Sequence, residues 1–542
     1  HRDLHLSIRR QRQMCIRDRD LSINTTVGFL YTNRSYYTIG GSASQFILNN
    51  QDRNAFINYT TANMNPFNSV ENLENNRVYG IADIDYQDKV FLQLTAASEA
   101  ASTFKGRFYY PSATLAYEFT KDILQDNSVL SYGKLRASAG LVGVEPPAYI
   151  WNTNYINSSS ASGWGETLDG SQFGGSIYRS SIQGNPNIKP EQKTEFEIGT
   201  DLKFLKNRIG VSATYYQNKT TGAIFAVDVP ASSGFTSKWD NAATISNKGW
   251  EAELNFKVID NSKLTLSVYG NVSSNKNLVE DISGVNSIFL AGFTGTSSRA
   301  VAGEALGVFW GGKWETNADG TFALDGNGFK KAAATEGVLG DPNAKYRAGI
   351  GSVISWKGFD VNILFETSQG GQMWAGTYGV LNNFGVTPET ANEVTVTADE
   401  AATIKNYRGQ TISQLATANT DGSYTIRGNI ADYGGGKVLL DQSWYTGLGG
   451  GFGSVAQDYI RDASWFRLRE ISVNYKLPKA MLSKLHIPGA SIGFTGRNLL
   501  LWTEFPGVDP ELNLTGTSNG RGLDYFTNPG TKSLIFSLKL NF

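Results

Sequence analysis

The sequence predicts an all-β chain whose strands cross a membrane as an antiparallel barrel. Segments of about ten residues alternate apolar and polar side chains along most of the chain. They come in pairs, joined by short turns and separated by long polar loops. Mean hydropathy is only −0.28, and no run approaches the ~18 apolar residues a membrane helix needs. A strand facing lipid on one side and water on the other hides its hydrophobicity in this way, because half its residues are polar.

The first nineteen of the 542 residues stand apart. They hold six Arg against Asp3 and Asp18, a net +4, together with the single cysteine, Cys15, and two of the three histidines. The run Met14-Cys15-Ile16-Arg17-Asp18-Arg19 looks like translated adapter read-through, so residues 1–19 are set aside as a non-native tail and 20–542 are read as the barrel part. The tail is not a signal peptide, since it lacks an apolar core. What remains has no cysteine and gives no sign of disulfides.

The first strand is read over 21–33, followed by a loop to about Asn75. Residues 76–86 and 89–97 form a hairpin about Gln87-Asp88, and 111–120 and 131–140 a second pair. A Ser-, Gly- and Asn-rich loop then runs from Leu141 to Gln192. Strands 193–204 and 208–217 flank Leu205-Lys206-Asn207, and in the first Phe196, Ile198, Leu202 and Phe204 oppose Glu195, Glu197, Asp201 and Lys203. Strands 247–258 and 263–272 turn at Asp260-Asn261, and 345–355 and 358–368 at Trp356-Lys357. A turn with Pro478 and Pro488 joins 465–476 to 489–499, and the last strand is 533–542. In that strand Leu534, Phe536, Leu538, Leu540 and Phe542 share one face, and Ile535 alone breaks the pattern.

That makes about fourteen strands, each near the ~9–11 residues that span a bilayer when tilted. If the C-terminal end lies in the periplasm, every short turn falls there and every long loop outside. A propeller would show a ~40-residue period, which is missing. A soluble sandwich seldom carries such long loops. The net charge of −1 gives no basic surface for nucleic acid.

The motifs narrow this further. Asn185-Pro186-Asn187-Ile188-Lys189-Pro190-Glu191 precedes a strand, then come Asn207-Arg208 and Tyr215-Tyr216-Gln217-Asn218-Lys219-Thr220. Ser233-Gly234-Phe235 and Ser246-Asn247-Lys248-Gly249-Trp250-Glu251 follow. Near the end stand Phe466-Arg467-Leu468-Arg469-Glu470-Ile471, Tyr475-Lys476-Leu477-Pro478, Gly496-Arg497-Asn498-Leu499, Gly507-Val508-Asp509-Pro510-Glu511 and Asn528-Pro529-Gly530. In order and spacing these resemble the SusC/RagA group of TonB-dependent outer-membrane transporters, from about Leu21 to Phe542. The chain departs from the group at Ser98-Glu99-Ala100-Ala101-Ser102, where an Arg-Asp-Gly-Ser-Ser-like stretch is common.

The resemblance implies a barrel of about 22 strands filled by an N-terminal plug. The fourteen read here would be its C-terminal part, an incomplete barrel with roughly eight strands and the plug absent. It also implies import of large nutrients, glycans or oligopeptides, across the bacterial outer membrane. The implied partners are a SusD-like lipoprotein lid, TonB through the missing plug, the barrel assembly machinery and the lipid bilayer. A terminal strand closing on Phe542 resembles the assembly signal of such barrels. Two other readings stay open: a passive porin, and a soluble β-rich surface enzyme or adhesin.

Single residues divide into scaffold and candidates for contact. Gly249 and Gly496 suit close approach between strands. Asn247, Asn498 and Asp509 are expected to tie loops by side-chain-to-backbone bonds. With Glu251, Arg497, Pro510 and Glu511 they read as structural members of the motifs. Trp356, Trp465 and Trp502 lie near strand ends and read as an interfacial girdle. Trp151, Trp164, Trp239, Trp314, Trp374 and Trp444 fall in long loops. Of these, Trp164, Trp239, Trp374 and Trp444 are candidates to stack on a sugar, with packing of the loops as the alternative. Asp325-Gly326-Asn327-Gly328 after Asp319-Gly320 looks like a calcium loop, but Phe329 and Lys330 break the ligand alternation, so a plain turn is expected and a divalent ion is the alternative. The run Gly447–Gly453 lacks the Lys-Ser/Thr ending of a phosphate cradle and reads as a flexible outer loop. No cofactor is indicated. Outside the tail the sole histidine is His486, and no catalytic motif is present, so no enzyme activity is expected.

Overall fold

The computed structural model describes residues 10–17, 20–45, 47–48, 58–60, 63–123, 129–157, 159–160, 168–169, 177–293, 295–483, 487–516 and 518–541. The chain is mostly strand. The main sheet takes its strands in chain order: β1 (Arg10–Arg17), β2 (Leu21–Ala43), β3 (Met64–Tyr86), β4 (Val90–Ala101), β5 (Phe108–Tyr117), β6 (Leu130–Val144), β7 (Glu191–Phe204), β8 (Ile209–Asp228), β9 (Ser237–Asp260), β10 (Leu264–Asp281), β11 (Tyr346–Trp356), β12 (Phe359–Gln369), β13 (Trp465–Lys476), β14 (Gly489–Thr503) and β15 (Ser533–Asn541). Each segment read as a strand from sequence overlaps one of β2–β15. Among the described residues no pairing joins β1 to β15. Trp164, His486 and Phe542 lie outside the described residues.

By contact the chain divides into two compact units: His1–Tyr117, Arg136–Phe196 and Asn218–Ala243, and Glu118–Leu135, Glu197–Gln217 and Thr244–Phe542.

In the first unit β1 pairs with β2 from Arg10↔Phe29 to Arg17↔Ser22. Strands β2 and β3 pair without a register break from Leu21↔Tyr86 to Ala43↔Met64. This corrects the loop expected over 34–75, most of which is a long hairpin. Apolar alternation marks only the part of a strand that faces lipid. Beyond it the backbone ladder continues with apolar and polar side chains mixed, among them exposed Tyr36, Tyr37, Ile39, Phe67 and Val70, and without strict alternation leaves no such mark. Gln87 and Asp88 both take positive φ, 58° and 54°, at the centre of a turn closed by the Lys89 N–H on the Tyr86 carbonyl at 3.1 Å, the primed geometry that matches strand twist. At the stretch that departs from the family pattern, Glu99 is buried and forms an ion pair with Arg77 across β3 and β4. The Asn-Pro-Asn motif is a clasp. Asn185 Nδ2 donates to Asp240 at 3.2 Å, and the Asn241 side chain bonds both the N–H and the C=O of Lys189, at 3.0 and 2.8 Å.

In the second unit β9 pairs with β10 from Thr244 onward, and β10, β11, β12, β13, β14 and β15 follow antiparallel. Lys357 and Gly358 form the β11–β12 turn, with φ of 46° and 90°. The expected turn lay one residue earlier, but Trp356 pairs with Phe359 and stays in the ladder. Tyr269 crosses β11 to donate its hydroxyl to Asn362 Oδ1 on β12 at 3.0 Å. Its ring lies where a Cβ on Gly351 would stand, at 2.4 Å. A Cβ on Gly249 would likewise meet the Tyr216 hydroxyl at 2.4 Å, which is the close approach expected of it.

The strand exposures are inverted relative to a soluble protein. On β7, Phe196 and Ile198 are 49% and 51% exposed, while Glu195 and Glu197 are half-buried. On β11, Ile350 is 56% exposed. A sandwich would bury such rows, whereas a membrane barrel turns them to lipid.

Outside the sheet the second unit has cores of its own. Trp314, Phe329, Val438, Trp444 and Val455 form one, and Val396, Ala401, Ile404, Ile412 and Leu439 another. The run Gly447–Gly453, expected to be a flexible loop, is a tight hydrogen-bonded turn. A Cβ on Gly450 or Gly451 would strike the backbone of Tyr445 or Gly379 at 1.8 or 2.2 Å, so these glycines serve close packing.

Candidate functional site

The site is built around a bulge. In strand β13 Leu468 and Glu470 pair with both neighbours, and Arg469 is skipped on each side. A bulge adds one residue and re-aims the side chains that follow. Arg467 and Arg469 therefore share a face with Glu470, which plain alternation would have put opposite them. All three meet partners on that face. Glu470 accepts from Asn362 Nδ2 at 3.3 Å and from Arg497 Nε at 2.9 Å. Arg469 donates from Nη2 and Nη1 to the two carboxylate oxygens of Glu511, at 2.6 and 3.0 Å, and from Nη1 to Asn498 Oδ1 at 2.8 Å. Its Nε bonds Glu366. Arg467 donates to Asp509 Oδ1 at 2.5 Å and lies 3.3 Å from Glu511 Oε2.

This network joins the Arg-rich motif, the Arg497-Asn498 motif and the Asp509-Pro510-Glu511 motif. Asn498 sits at φ 52°, and its Nδ2 reaches the carbonyl of Thr531 at 3.2 Å. Asp509 Oδ1 also accepts the Glu511 N–H at 3.0 Å. The expected side-chain-to-backbone ties are thus present at Asn498 and Asp509, with ion pairs added. Asn247 accepts from the Asn275 side chain at 3.1 Å on the paired strand. Glu251 is exposed on β9 opposite Ser273.

Beside the network lies a cavity of about 400 Å³. Asn271, Ser273, Arg347, Glu366 and Ser368 line it from β10, β11 and β12, joined by Gln372, Trp465, Pro510, Glu511, Asn513 and Arg521. Trp465, expected in the girdle, is buried on this inner side with the Arg467 guanidinium 5.0 Å from its ring centre. It shares the parity of Arg467, not that of outward Phe466. Trp356 and Trp502 are half-exposed.

The loop tryptophans separate. Trp239 is not in a loop but in β9, half-buried. Trp444 is 3% exposed and stacks on Trp314 at 5.9 Å, and Trp374 is 7% exposed and stacks on Tyr525 at 6.0 Å. Neither presents an open ring face for a sugar. Lys330 enters the Trp314 cluster with its side chain 6% exposed, its Nζ 2.7 Å from Asp458 Oδ2 and 4.1 Å from the Trp314 ring centre. Burial pushes its pKa down, against the pull of Asp458. Asp319 and Asp325 each spend Oδ1 on their own turn, accepting from Thr321 and from Asn327 and Phe329. Among the described residues no group of three or more acidic, His or Cys side chains could hold a metal.

A family model described as TonB dependent receptor-like, beta-barrel matches residues 10–346. The chain belongs to the TonB-dependent receptor β-barrel family. Within it the resemblance is of the SusC/RagA type, and proteins of this family reside in the outer membrane. TonB-dependent receptor P3 of Formosa agariphila is 26% identical over 88% of this chain and 46% of its own length. TonB-dependent receptor SusC of Bacteroides thetaiotaomicron is 21% identical over 80% of this chain and 40% of its own. In fold the chain is similar to the RagAB peptide transporter, with a TM-score of 0.71, 17% identity, and coverage of 98% of this chain and 54% of that one. This TonB-dependent receptor chain thus spans about half the length of the relatives it matches.

The sequence pointed to every motif in the network but not to the site. Arg467, Arg469 and Glu470 were legible as a motif, while Arg347, Glu366 and Arg521 carried no signal. The bulge that brings them together is set by pairing on both sides of β13.

Proposed function

We propose that this chain forms part of an energised importer of large nutrients, glycans or oligopeptides, in the bacterial outer membrane. TonB would supply the energy through a plug, and a SusD-like lipoprotein would cover the mouth. The observation that carries this reading is the inversion of exposure along the strands of a chain in this family. Apolar rows suited to lipid face outward on β7 and β11, while Tyr269, Asn362, Glu470 and Arg497 form a polar ladder on the other face.

The folded loops fit the same reading, because a mouth that must hold a large cargo needs ordered walls. One solved neighbour is a peptide transporter, which supports import. The test is uptake of fluorescent oligosaccharides and oligopeptides by cells carrying the gene, with and without TonB. Import that stops without TonB, and a lipoprotein that co-purifies with the barrel, are the expected results. Uptake that persists without TonB would make the protein a passive porin.

A further inference from the structure

We propose that the cavity at the bulge binds the acidic group of an oligosaccharide, a carboxylate or a sulfate on a sugar ring. The proposal rests on the import reading and names the cargo for one part of the pore. Its basis is an imbalance of pairing between the network at the bulge and the cavity beside it. Arg467, Arg469 and Arg497 are each held by a carboxylate, and Glu366, Glu470, Asp509 and Glu511 are each held by an arginine. Of these, Glu366 and Glu511 line the cavity beside the network; Arg347 and Arg521 line it too, and among the described residues neither has a carboxylate partner. Both are exposed. The charged lining is thus two carboxylates already held by Arg469 and two guanidinium forks without such a partner, which match a planar carboxylate or a sulfate with two parallel bonds.

The rest of the lining selects among anions. Asn271 and Ser273 stand beside Arg347 on the neighbouring strand, Ser273 directly opposite it. Among the described residues neither side chain has a hydrogen-bond partner. An amide and a hydroxyl suit ring hydroxyls. Gly349, also in the lining, leaves room for the Asn271 side chain, which a Cβ there would meet at 2.8 Å. At about 400 Å³ the cavity is of the size of a small-ligand site, enough for one or two sugar rings of a longer chain.

The test is calorimetric titration of the detergent-purified protein with hexagalacturonate, maltohexaose and hexaglutamate. Hexagalacturonate should bind more tightly than the other two. Arg347→Gln and Arg521→Gln should each weaken it about tenfold, with maltohexaose unchanged. Arg347→Lys, which keeps charge and loses the fork, should fall between. Should a glutamine variant misfold, added salt provides the same test on the unaltered protein, weakening hexagalacturonate and sparing maltohexaose. Equal affinity for the acidic and neutral sugars, indifference to both arginines, or hexaglutamate binding as tightly as hexagalacturonate would each overturn the proposal. Loss of sugar selectivity with TonB-dependent uptake intact overturns this inference alone. Loss of TonB dependence with selective binding intact overturns the import reading.

Discussion

Ile350 on β11 and Phe329 in the loop core are both large apolar residues of the same unit, and their surroundings are opposite. Ile350 is more than half exposed at the middle of a strand, and Phe329 is fully buried among Trp314, Trp444 and Tyr407. One unit therefore uses two solvents. In the loops, water drives apolar side chains together and the core resembles that of a soluble domain. Along the strands, lipid takes the place of the core, and the polar side chains are the ones that gather, across β10, β12, β13 and β14. The same composition can build both because what faces each residue, not its type alone, decides where it is stable.

The largest effect should come from emptying the loop core. Phe329→Ala should destabilise the region outside the strands by about 3–5 kcal/mol, seen as rapid proteolysis of the loops while the strands stay protected. If loops and strands are lost together, the two regions are one cooperative unit and the comparison fails.

Next comes the lipid face. Ile350→Lys should cost about 2–4 kcal/mol if the residue lies near the middle of the bilayer, read as a lower folded fraction in liposomes. An unchanged folded fraction would place Ile350 in water and favour a soluble sheet.

Of intermediate size is the bulge network. Arg469→Ala leaves Glu366 and Glu511 without their shared partner, and about 2 kcal/mol of stability should go with it. Because these groups are partly exposed, the loss should shrink at high salt. Denaturant titration at two ionic strengths measures both.

The smallest effect is at Lys330. Its folded pKa lies below its ordinary 10.5, so between those two values the unfolded chain holds more protons than the folded one. Stability of the loop core should therefore rise as pH climbs through the lowered pKa towards 10.5. Lys330→Met should remove that rise. A rise that persists in the variant would assign it to another group.

Much of the strand pattern was legible because membrane strands write their faces into period-two alternation. Phe196, Ile198, Glu195 and Glu197 on β7 are an instance, and the turns at Gln87-Asp88 and Leu205-Lys206-Asn207, all with positive φ, are another. The extension of β2 and β3 was not legible, since its apolar residues, such as Ile39 and Phe67, do not alternate strictly with polar ones. Nor was the fate of the tryptophans. Trp444 and Trp374 share a residue type and a loop address with surface candidates, and only packing against Trp314 and Tyr525 tells them apart.

The sequence by itself determined the fold class, the strand pairs and the family, because alternation, turn residues and motif order are local properties of the chain. Tertiary structure alone decided that Arg469 and Glu470 share a face, that Trp465 turns inward and that Arg347 and Arg521 have no carboxylate partner among the described residues. Each of those depends on register between strands and on segments more than a hundred residues apart. Register is an outcome of pairing that no single stretch of sequence contains.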